Sequence, residues 1–148
     1  MNSSRQPSQI LMVIEDNPDD FEAIERGLRR YISNPLLHLH SGDAALDYLF
    51  RRGEHAQAPR PGLILLDLRM PGTDGYEVLR TIKEDPVLKV IPVVILTSSK
   101  SEEDIEFCYR IGANSYVPKR LNLIEFMQAL ERISDYWLEI SLLPRLPD

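Results

Sequence analysis

Residues 63–79, LILLDLRMPGTDGYEVL, pass from an apolar run through a turn into an amphipathic segment. The run 63–68 is interrupted by one charged residue, Asp67, and is otherwise typical of a central strand in a parallel sheet, which is buried on both faces. Met70-Pro71-Gly72 supplies turn residues, and Asp74 suits the N-cap of a following helix. This succession of strand, turn and helix predicts one unit of an α/β fold.

The same alternation of a short apolar run and an amphipathic stretch occurs five times along the chain, as expected when crossover helices join parallel strands. The strand candidates are residues 9–15, 36–40, 63–68, 91–97 and 115–117, and the weaker second and fifth runs are expected at the sheet edges. Helices are expected to begin near Pro18, Gly42, Asp74, Ser101 and Asn122. The sequence therefore predicts a doubly wound five-stranded parallel sheet in the flavodoxin-like order 2-1-3-4-5, with helices on both faces.

The composition limits the classes of function. A chain of 148 residues with 43% hydrophobic and 27% charged residues is typical of one globular domain. We assign residues 9–135 to that domain and residues 136–148 to a C-terminal extension that serves as an interaction segment. The net charge of -6, with scattered lysines and arginines, disfavours nucleic-acid binding. One cysteine, no signal-like start and only short apolar runs indicate a cytoplasmic protein without a membrane span.

Polar residues stand at the ends of three predicted strands. Glu15 and Asp16 follow the first, Asp67 lies near the end of the third, and Thr97 ends the fourth, while Lys119 follows the fifth. Because the first, third and fourth strands are neighbours in the predicted order, these side chains should converge at one sheet edge. Clustered carboxylates raise each other's pKa or require a cation, and hard oxygen ligands suit Mg²⁺. With Mg²⁺ and Lys119 offsetting charge, an aspartate can accept a phosphoryl group, and Thr97 adds a hydroxyl donor.

Each of these residues also has a purely structural explanation when it is taken alone. Acids before a helix are favoured by its dipole, an aspartate can start a turn, and a single lysine is usually solvated. Thr97 could simply lead into a helix that Ser99 and Glu102 begin with a capping box. The joint placement of all these residues at equivalent strand ends favours the functional interpretation.

Four segments resemble the successive signature segments of bacterial response-regulator receiver domains. They are VIEDNPDD (13–20), LILLDLRMPGTDGYEVL (63–79), VVILTSS (93–99) and GANSYVPK (112–119), and the resemblance covers roughly residues 9–135. It implies that the protein is a two-component response regulator and not an enzyme, although it assists its own Mg²⁺-dependent phosphorylation and dephosphorylation. The implied roles are Asp67 as phosphoacceptor, Glu15 and Asp16 as the acidic pair, Thr97 as switch hydroxyl, Tyr116 as switch aromatic and Lys119 as the phosphate-contacting lysine.

The resemblance also implies how the metal is held. Mg²⁺ would be bound by the Asp16 and Asp67 side chains and the main-chain carbonyl of Arg69, with Glu15 acting through water. One departure concerns the loop after Lys119, where the family usually has proline, often joined by a cis bond. Here Arg120 follows, and a cis bond without proline costs about 3 kcal/mol more than trans.

The segments EDNPDD (15–20) and YWLEISLLP (136–144) further resemble the small, stand-alone receivers that serve cyanobacterial phytochrome-class histidine kinases. This resemblance implies a phytochrome-class kinase as the phosphoryl donor. It also implies that the protein signals through altered protein–protein contacts.

Three other functions fit the sequence less well. An aspartyl-phosphate hydrolase needs a second acid two residues after its nucleophile, where this chain has Arg69. A flavodoxin-like cofactor binder needs a loop rich in Ser, Thr and Gly after its first strand, but that loop here is acidic. A degenerate receiver that serves only as an interaction module would not need the full acidic set with Thr97 and Lys119.

The C-terminal segment carries an apolar stripe at helical spacing, formed by Phe126, Leu130, Ile133, Trp137 and Ile140. A fifth helix of ordinary length would end near residues 134–135 and leave the last two members of the stripe uncovered. We therefore expect a homodimer through the last helix and tail, with aromatic residues at its centre. The alternative is that the tail folds back over the fourth helix.

Overall fold

A computed structural model describes residues 8–146. The strands are β1 (Leu11–Ile14), β2 (Leu36–Leu39), β3 (Leu63–Leu66), β4 (Val93–Thr97) and β5 (Ser115–Pro118). The helices that alternate with them are α1 (Pro18–Arg29), α2 (Gly42–Leu49), α3 (Gly75–Glu84), α4 (Glu102–Ile111) and α5 (Leu123–Ser134). All strand pairs are parallel, in the order β2-β1-β3-β4-β5, which confirms the predicted fold and the two edge strands.

The helices begin where the sequence indicated, because a polar residue caps each one. The capping residues are Asn17, Ser41, Asp74, Ser101 and Asn122, and the side chain of each accepts a backbone N–H from the first helical turn. The alternative capping box of Ser99 with Glu102 is wrong. The Ser99 hydroxyl donates to the carboxylate of Asp104 instead, at 2.5 Å.

Two apolar layers cover the two faces of the sheet. Alternation along β1 sends Met12 and Ile14 to the layer beneath α2, α3 and α4, and Leu11 and Val13 to the layer beneath α1 and α5. The three central strands are buried along their whole length. The polar ends of these strands therefore stand on a rigid base.

Helix α5 ends at Ser134, where the sequence predicted, but the segment that follows it is partly buried. Beyond α5 the chain continues as a π-helix, Asp135–Ile140, whose wider turn adds a residue to the stripe. Leu138 therefore points into the α1/α5 layer, where Leu143 joins it, and Trp137 packs half-buried beside them. The expectation that Trp137 lacks cover is wrong, and the alternative path over α4 is wrong as well. Ile140 stays exposed, as expected.

Within residues 8–146, no helix is both long enough and apolar enough to cross a membrane.

Candidate functional site

The three predicted acids meet at the carboxyl edge of the sheet. Glu15 and Asp16 follow β1, Asp67 follows β3, and these two strands pair in register, with Ile14 opposite Leu66. One carboxylate oxygen from each acid lies within 4.8 Å of the other two. Glu15 and Asp67 are buried, whereas Asp16 is partly exposed.

A close approach of helix α3 to the backbone of Asp67 supports this arrangement. The amide of Gly75 donates to the carbonyl oxygen of Leu68 at 3.0 Å. A Cβ at Gly75 would collide with the backbone oxygen of Asp67. Glycine is therefore required here so that α3 can begin directly against the strand that carries the central carboxylate.

Lys119 lies inside the acidic cluster. Its Nζ donates to Glu15 Oε1 at 2.6 Å, to Asp20 Oδ2 at 2.8 Å and to Asp67 Oδ2 at 3.3 Å. Only 13% of the side chain is exposed, so Lys119 is not a solvated surface lysine. Burial alone would lower the pKa of Lys119, but the hydrogen bonds to Asp20 and Glu15 outweigh it and raise that pKa. Lys119 is thus a permanent cation in the site.

The loop after Lys119 contains no cis bond. The described residues include no cis peptide, so the bond from Lys119 to Arg120 is trans. The Lys119 amide donates to the Thr97 carbonyl at 2.7 Å, which continues the pairing of β4 with β5 beyond the strands. The missing proline therefore does not prevent the lysine from reaching the acids.

Asp20 belongs to the site, but the sequence analysis did not select it. Helix α1 begins at Pro18, and the Asn17 side chain caps it by accepting the N–H groups of Asp19 and Asp20. This first turn directs the Asp20 carboxylate toward Lys119, whereas Asp19 is exposed. The only signal in the sequence was a further acid four residues after Asp16.

The buried carboxyl group of Glu15 has a shifted pKa. Burial raises the pKa of Glu15 to about 7; the hydrogen bond from Lys119 opposes this rise and the charge of Asp67 adds to it. The raised pKa of Glu15 is therefore due mainly to its burial, and the nearby charge of Asp67 makes a smaller contribution.

Thr97 ends β4 beside the acids and is fully buried. Within the described part of the chain, its hydroxyl has no hydrogen-bond partner. A buried polar group without a partner costs free energy. The Thr97 hydroxyl is therefore available to a ligand at the strand ends.

A second polar cluster lies beside the site and centres on Asp104, in the first turn of α4. Its carboxylate accepts the Ser99 hydroxyl, the Tyr76 hydroxyl and, at 3.4 Å, the guanidinium of Arg69. The hydrogen bonds from Ser99 and Tyr76 lower the pKa of Asp104. Tyr116 joins this cluster, because its hydroxyl donates to the Ser99 carbonyl at 3.0 Å. Sequence reasoning selected Tyr116 but missed Asp104, which joins α4 to the two loops that flank Asp67 and Thr97.

The donors at the sheet edge fit a hard divalent cation. Three carboxylates within one coordination distance of each other supply oxygen ligands of the kind that Mg²⁺, Mn²⁺ and Ca²⁺ accept. Lys119 contacts Glu15 and Asp67 but has no hydrogen bond to Asp16, so the Asp16 carboxylate remains available. The amide of Arg69 lies 3.4 Å from Asp67 Oδ1, which places the backbone of Arg69 beside the same carboxylate.

Several known proteins are similar to this chain in sequence and in structure. The family model for the response regulator receiver domain matches residues 11–131. The response regulator Rcp1 from a Synechocystis species is 39% identical over 145 residues, covering 97% of this chain and 99% of the relative. The phosphorylated cyanobacterial phytochrome response regulator RcpA is 40% identical with a TM-score of 0.89, covering 93% of this chain and 99% of the other. The Mn²⁺-bound form of Rcp1 has a TM-score of 0.88 at 39% identity, covering 92% and 99%.

Proposed function

The chain belongs to the response regulator receiver domain family of two-component systems, and we propose that Asp67 is the residue that accepts the phosphoryl group. The observation that carries this proposal is the position of Asp67, buried between the acidic pair and Lys119 at the end of a central strand. Asp20 lies outside the group of three acids and contacts Lys119 alone, so it is a weaker candidate for the acceptor.

The proposed transfer is an in-line displacement. A carboxylate oxygen of Asp67 forms a bond to the phosphorus of a phosphohistidine, and the phosphorus–nitrogen bond breaks with its electron pair returning to the histidine. Lys119 and Thr97 bind the phosphoryl oxygens and stabilise their charge. Attack by water on the same phosphorus later releases inorganic phosphate and restores Asp67. The protein thus assists its own phosphorylation and dephosphorylation without acting on a separate substrate.

We propose Mg²⁺ as the metal, held by Asp16, Asp67 and the main-chain carbonyl of Arg69, with Glu15 acting through water. When bound, Mg²⁺ offsets the charge of the acids and of the incoming phosphoryl oxygens. The clustering of three carboxylates within 4.8 Å of one another supports this assignment, because carboxylate oxygens are ligands that Mg²⁺ prefers.

The proposed switch consists of Thr97 and Tyr116. Thr97 moves toward the phosphoryl group, since its hydroxyl lacks a partner before phosphorylation. Tyr116 moves together with Thr97, so its hydrogen bond to the Ser99 carbonyl breaks and forms again in the new arrangement. Because Ser99 is also bound to Asp104, the change passes into α4 and alters the surface formed by α4, β5 and α5.

The proposed phosphoryl donor is a phytochrome-class histidine kinase. Three of the similar structures are phytochrome response regulators, one cyanobacterial and two bacteriophytochrome-linked. Exposed apolar side chains at Leu121, Leu123 and Ile124 follow shortly after Lys119 in the chain and offer a surface for the donor. Phosphotransfer rates from an autophosphorylated phytochrome-class kinase and from an unrelated kinase test this choice, and equal rates contradict it.

We further propose a homodimer in which residues 136–148 act as an interaction segment attached to the receiver domain, residues 9–135. The π-helix leaves Tyr136 and Ile140 exposed on its outer side, and Leu142 is exposed just beyond it. These apolar side chains lie close together in sequence on one segment, as expected of an interface between two copies.

The decisive experiment is intact mass spectrometry after incubation with acetyl phosphate and Mg²⁺. Wild type should gain one phosphoryl group, and Asp67→Asn should gain none, because the nucleophile is lost. Asp19→Asn is the matched control, since Asp19 is an exposed acid near the same edge, and it should label as wild type does. Labelling of Asp67→Asn at the wild-type level would overturn the assignment of Asp67.

A further inference from the structure

A small cavity lies at the amino edge of the sheet, opposite the acidic site. Its volume is about 240 Å³, and three segments of chain enclose it: the residues before β1, the connection from α2 to β3, and the C-terminal tail. Its lining residues are Ser8, Gln9, Arg51, Pro59, Arg60, Pro61, Pro144, Arg145 and Leu146. Nothing in the proposed phosphorylation cycle uses this cavity.

The described lining of the cavity is positively charged. Arg51, Arg60 and Arg145 all line it, and the described lining includes no acidic side chain. Burial and the positive charge of Arg51 lower the pKa of the Arg60 guanidinium, with Asp85 acting in the opposite direction. Three arginines line this one small space, which concentrates positive charge there in a chain of net charge -6.

The backbone at Arg51 provides an independent observation. Helix α2 ends in a Schellman motif, in which Arg51 N–H donates to the Tyr48 carbonyl and Arg52 N–H to the Asp47 carbonyl. The position in the left-handed region of this motif is usually glycine, but here it is Arg51, with φ of 56°. A side chain is disfavoured in that conformation. An arginine side chain therefore projects from a position where the backbone favours glycine.

The side chain of Arg51 is held in place. Its Nε donates to the Ala58 carbonyl at 3.0 Å, and among residues 8–146 its terminal nitrogens make no further hydrogen bond. The neighbouring Tyr48 hydroxyl donates to the Pro59 carbonyl at 2.6 Å and fixes the same loop. The cavity wall formed by residues 51–61 is therefore organised before any ligand arrives, which lowers the entropic cost of binding.

We propose that this cavity binds a small oxyanion with two or more negative charges, carried by phosphate or carboxylate groups. Guanidinium groups bind such oxygens through paired, charge-assisted hydrogen bonds. The volume lies below that of a typical drug-sized pocket, which restricts the ligand to a small anion. The acidic site at the other edge repels such anions when metal is absent.

The cavity also connects two parts of the chain. Arg51 and Arg60 belong to the α2–β3 connection, whereas Arg145 belongs to the tail that follows the π-helix. A bound anion would bridge these arginines and fasten the tail to the domain. Since the tail carries the proposed dimer surface, anion binding would also hold that surface in place against the domain.

The test is isothermal titration calorimetry of the full chain in metal-free buffer at constant ionic strength. Pyrophosphate and citrate are the probes for the phosphate and carboxylate classes. Wild type should bind at least one of them, and Arg60→Gln should bind that probe about tenfold or more weakly, because one charge-assisted partner is lost. Arg52→Gln is the matched control, since Arg52 is exposed, pairs with Asp47 and lies outside the cavity. Absence of binding by wild type, or equal affinity of Arg60→Gln and wild type, overturns the proposal.

A second variant separates lost binding from lost folding. Arg51→Gly places the favoured residue at the left-handed position, which offsets the loss of the Nε hydrogen bond to Ala58, so its thermal midpoint without ligand should stay close to that of wild type. The same variant should lose the rise in midpoint that the bound probe produces in wild type. An unchanged rise in Arg51→Gly would overturn the proposal.

Discussion

At the carboxyl edge of the sheet, Lys119 donates hydrogen bonds to Glu15, Asp20 and Asp67. The fourth acid at this edge, Asp16, is not a partner of Lys119. This division gives the acids separate tasks. Asp20 positions the lysine without belonging to the group of three that could hold a metal, whereas Asp16 belongs to that group and is independent of the lysine. The two carboxylates lie four residues apart, so they form a natural pair for comparison.

The first residue-scale prediction concerns metal binding. Asp16→Asn should weaken Mg²⁺ binding by about tenfold or more, because it removes a direct ligand. Asp20→Asn should weaken it far less, since it only loosens Lys119. Calorimetric titration with Mg²⁺ measures both affinities. Equal losses in the two variants would contradict the separate roles.

The second residue-scale prediction concerns the unpartnered hydroxyl of Thr97. Thr97→Val keeps the shape of the side chain and removes a buried polar group that has no partner, so the unphosphorylated protein should gain about 1 kcal/mol in free energy of unfolding. Ser134→Ala is the control, because the equally buried Ser134 hydroxyl donates to the Leu130 carbonyl at 2.9 Å. That variant should lose stability or remain unchanged. Chemical denaturation decides the matter, and a destabilised Thr97→Val would contradict the prediction.

At the scale of secondary structure, the π-helix Asp135–Ile140 determines which side chains of the tail are buried. An α-helix would continue the stripe from Ile133 to Trp137, a step of four residues. The wider turn instead makes a step of five, from Ile133 to Leu138, and Leu138 is 1% exposed. The one additional residue in the π-helical turn thus changes which side chains of the tail point into the interior and which point to solvent.

The corresponding prediction compares two aliphatic residues of this segment. Leu138→Ala should lower the free energy of unfolding by about 2–4 kcal/mol, because it opens a cavity in the α1/α5 layer. Ile140→Ala should change it by less than about 0.5 kcal/mol at low protein concentration, since Ile140 is 67% exposed. Denaturant unfolding measures both. A larger loss at Ile140 than at Leu138 would show that the stripe continues as an α-helix.

At the scale of the whole molecule, the tail both completes the core and presents an outer surface. Leu138 and Leu143 are buried, whereas Tyr136, Ile140 and Leu142 are exposed. Removing the tail would therefore damage the domain as well as any interface. Point substitutions on the outer surface are the appropriate means of testing the homodimer.

We predict that wild type forms a dimer whose fraction rises with concentration. The double variant Ile140→Glu, Leu142→Glu should stay monomeric, because it places charge at the centre of the interface. Leu121→Glu is the control, since Leu121 is more exposed than either residue but lies in the loop before α5. Light scattering at several concentrations measures the mass. A wild type that stays monomeric with and without phosphorylation would rule out this dimer.

The sequence by itself determined the fold and the residues at the strand ends. Short apolar runs alternate with amphipathic stretches that start at capping or turn residues, which is the pattern of parallel strands joined by helices. In such a sheet the carboxyl ends of the strands lie at one edge. The proximity of Glu15, Asp67 and Lys119 could therefore be predicted from the sequence. Their roles in phosphoryl transfer remain predictions.

Tertiary structure alone decided what depends on side-chain direction or on distant segments. The role of Asp20 depends on how the first turn of α1 faces Lys119, and that of Asp104 depends on the positions of Ser99 and Tyr76. The arginine cavity exists only because the tail returns to the start of β1. Helical periodicity could not reveal that return, because one added residue in a π-helical turn changes the direction of every side chain after it.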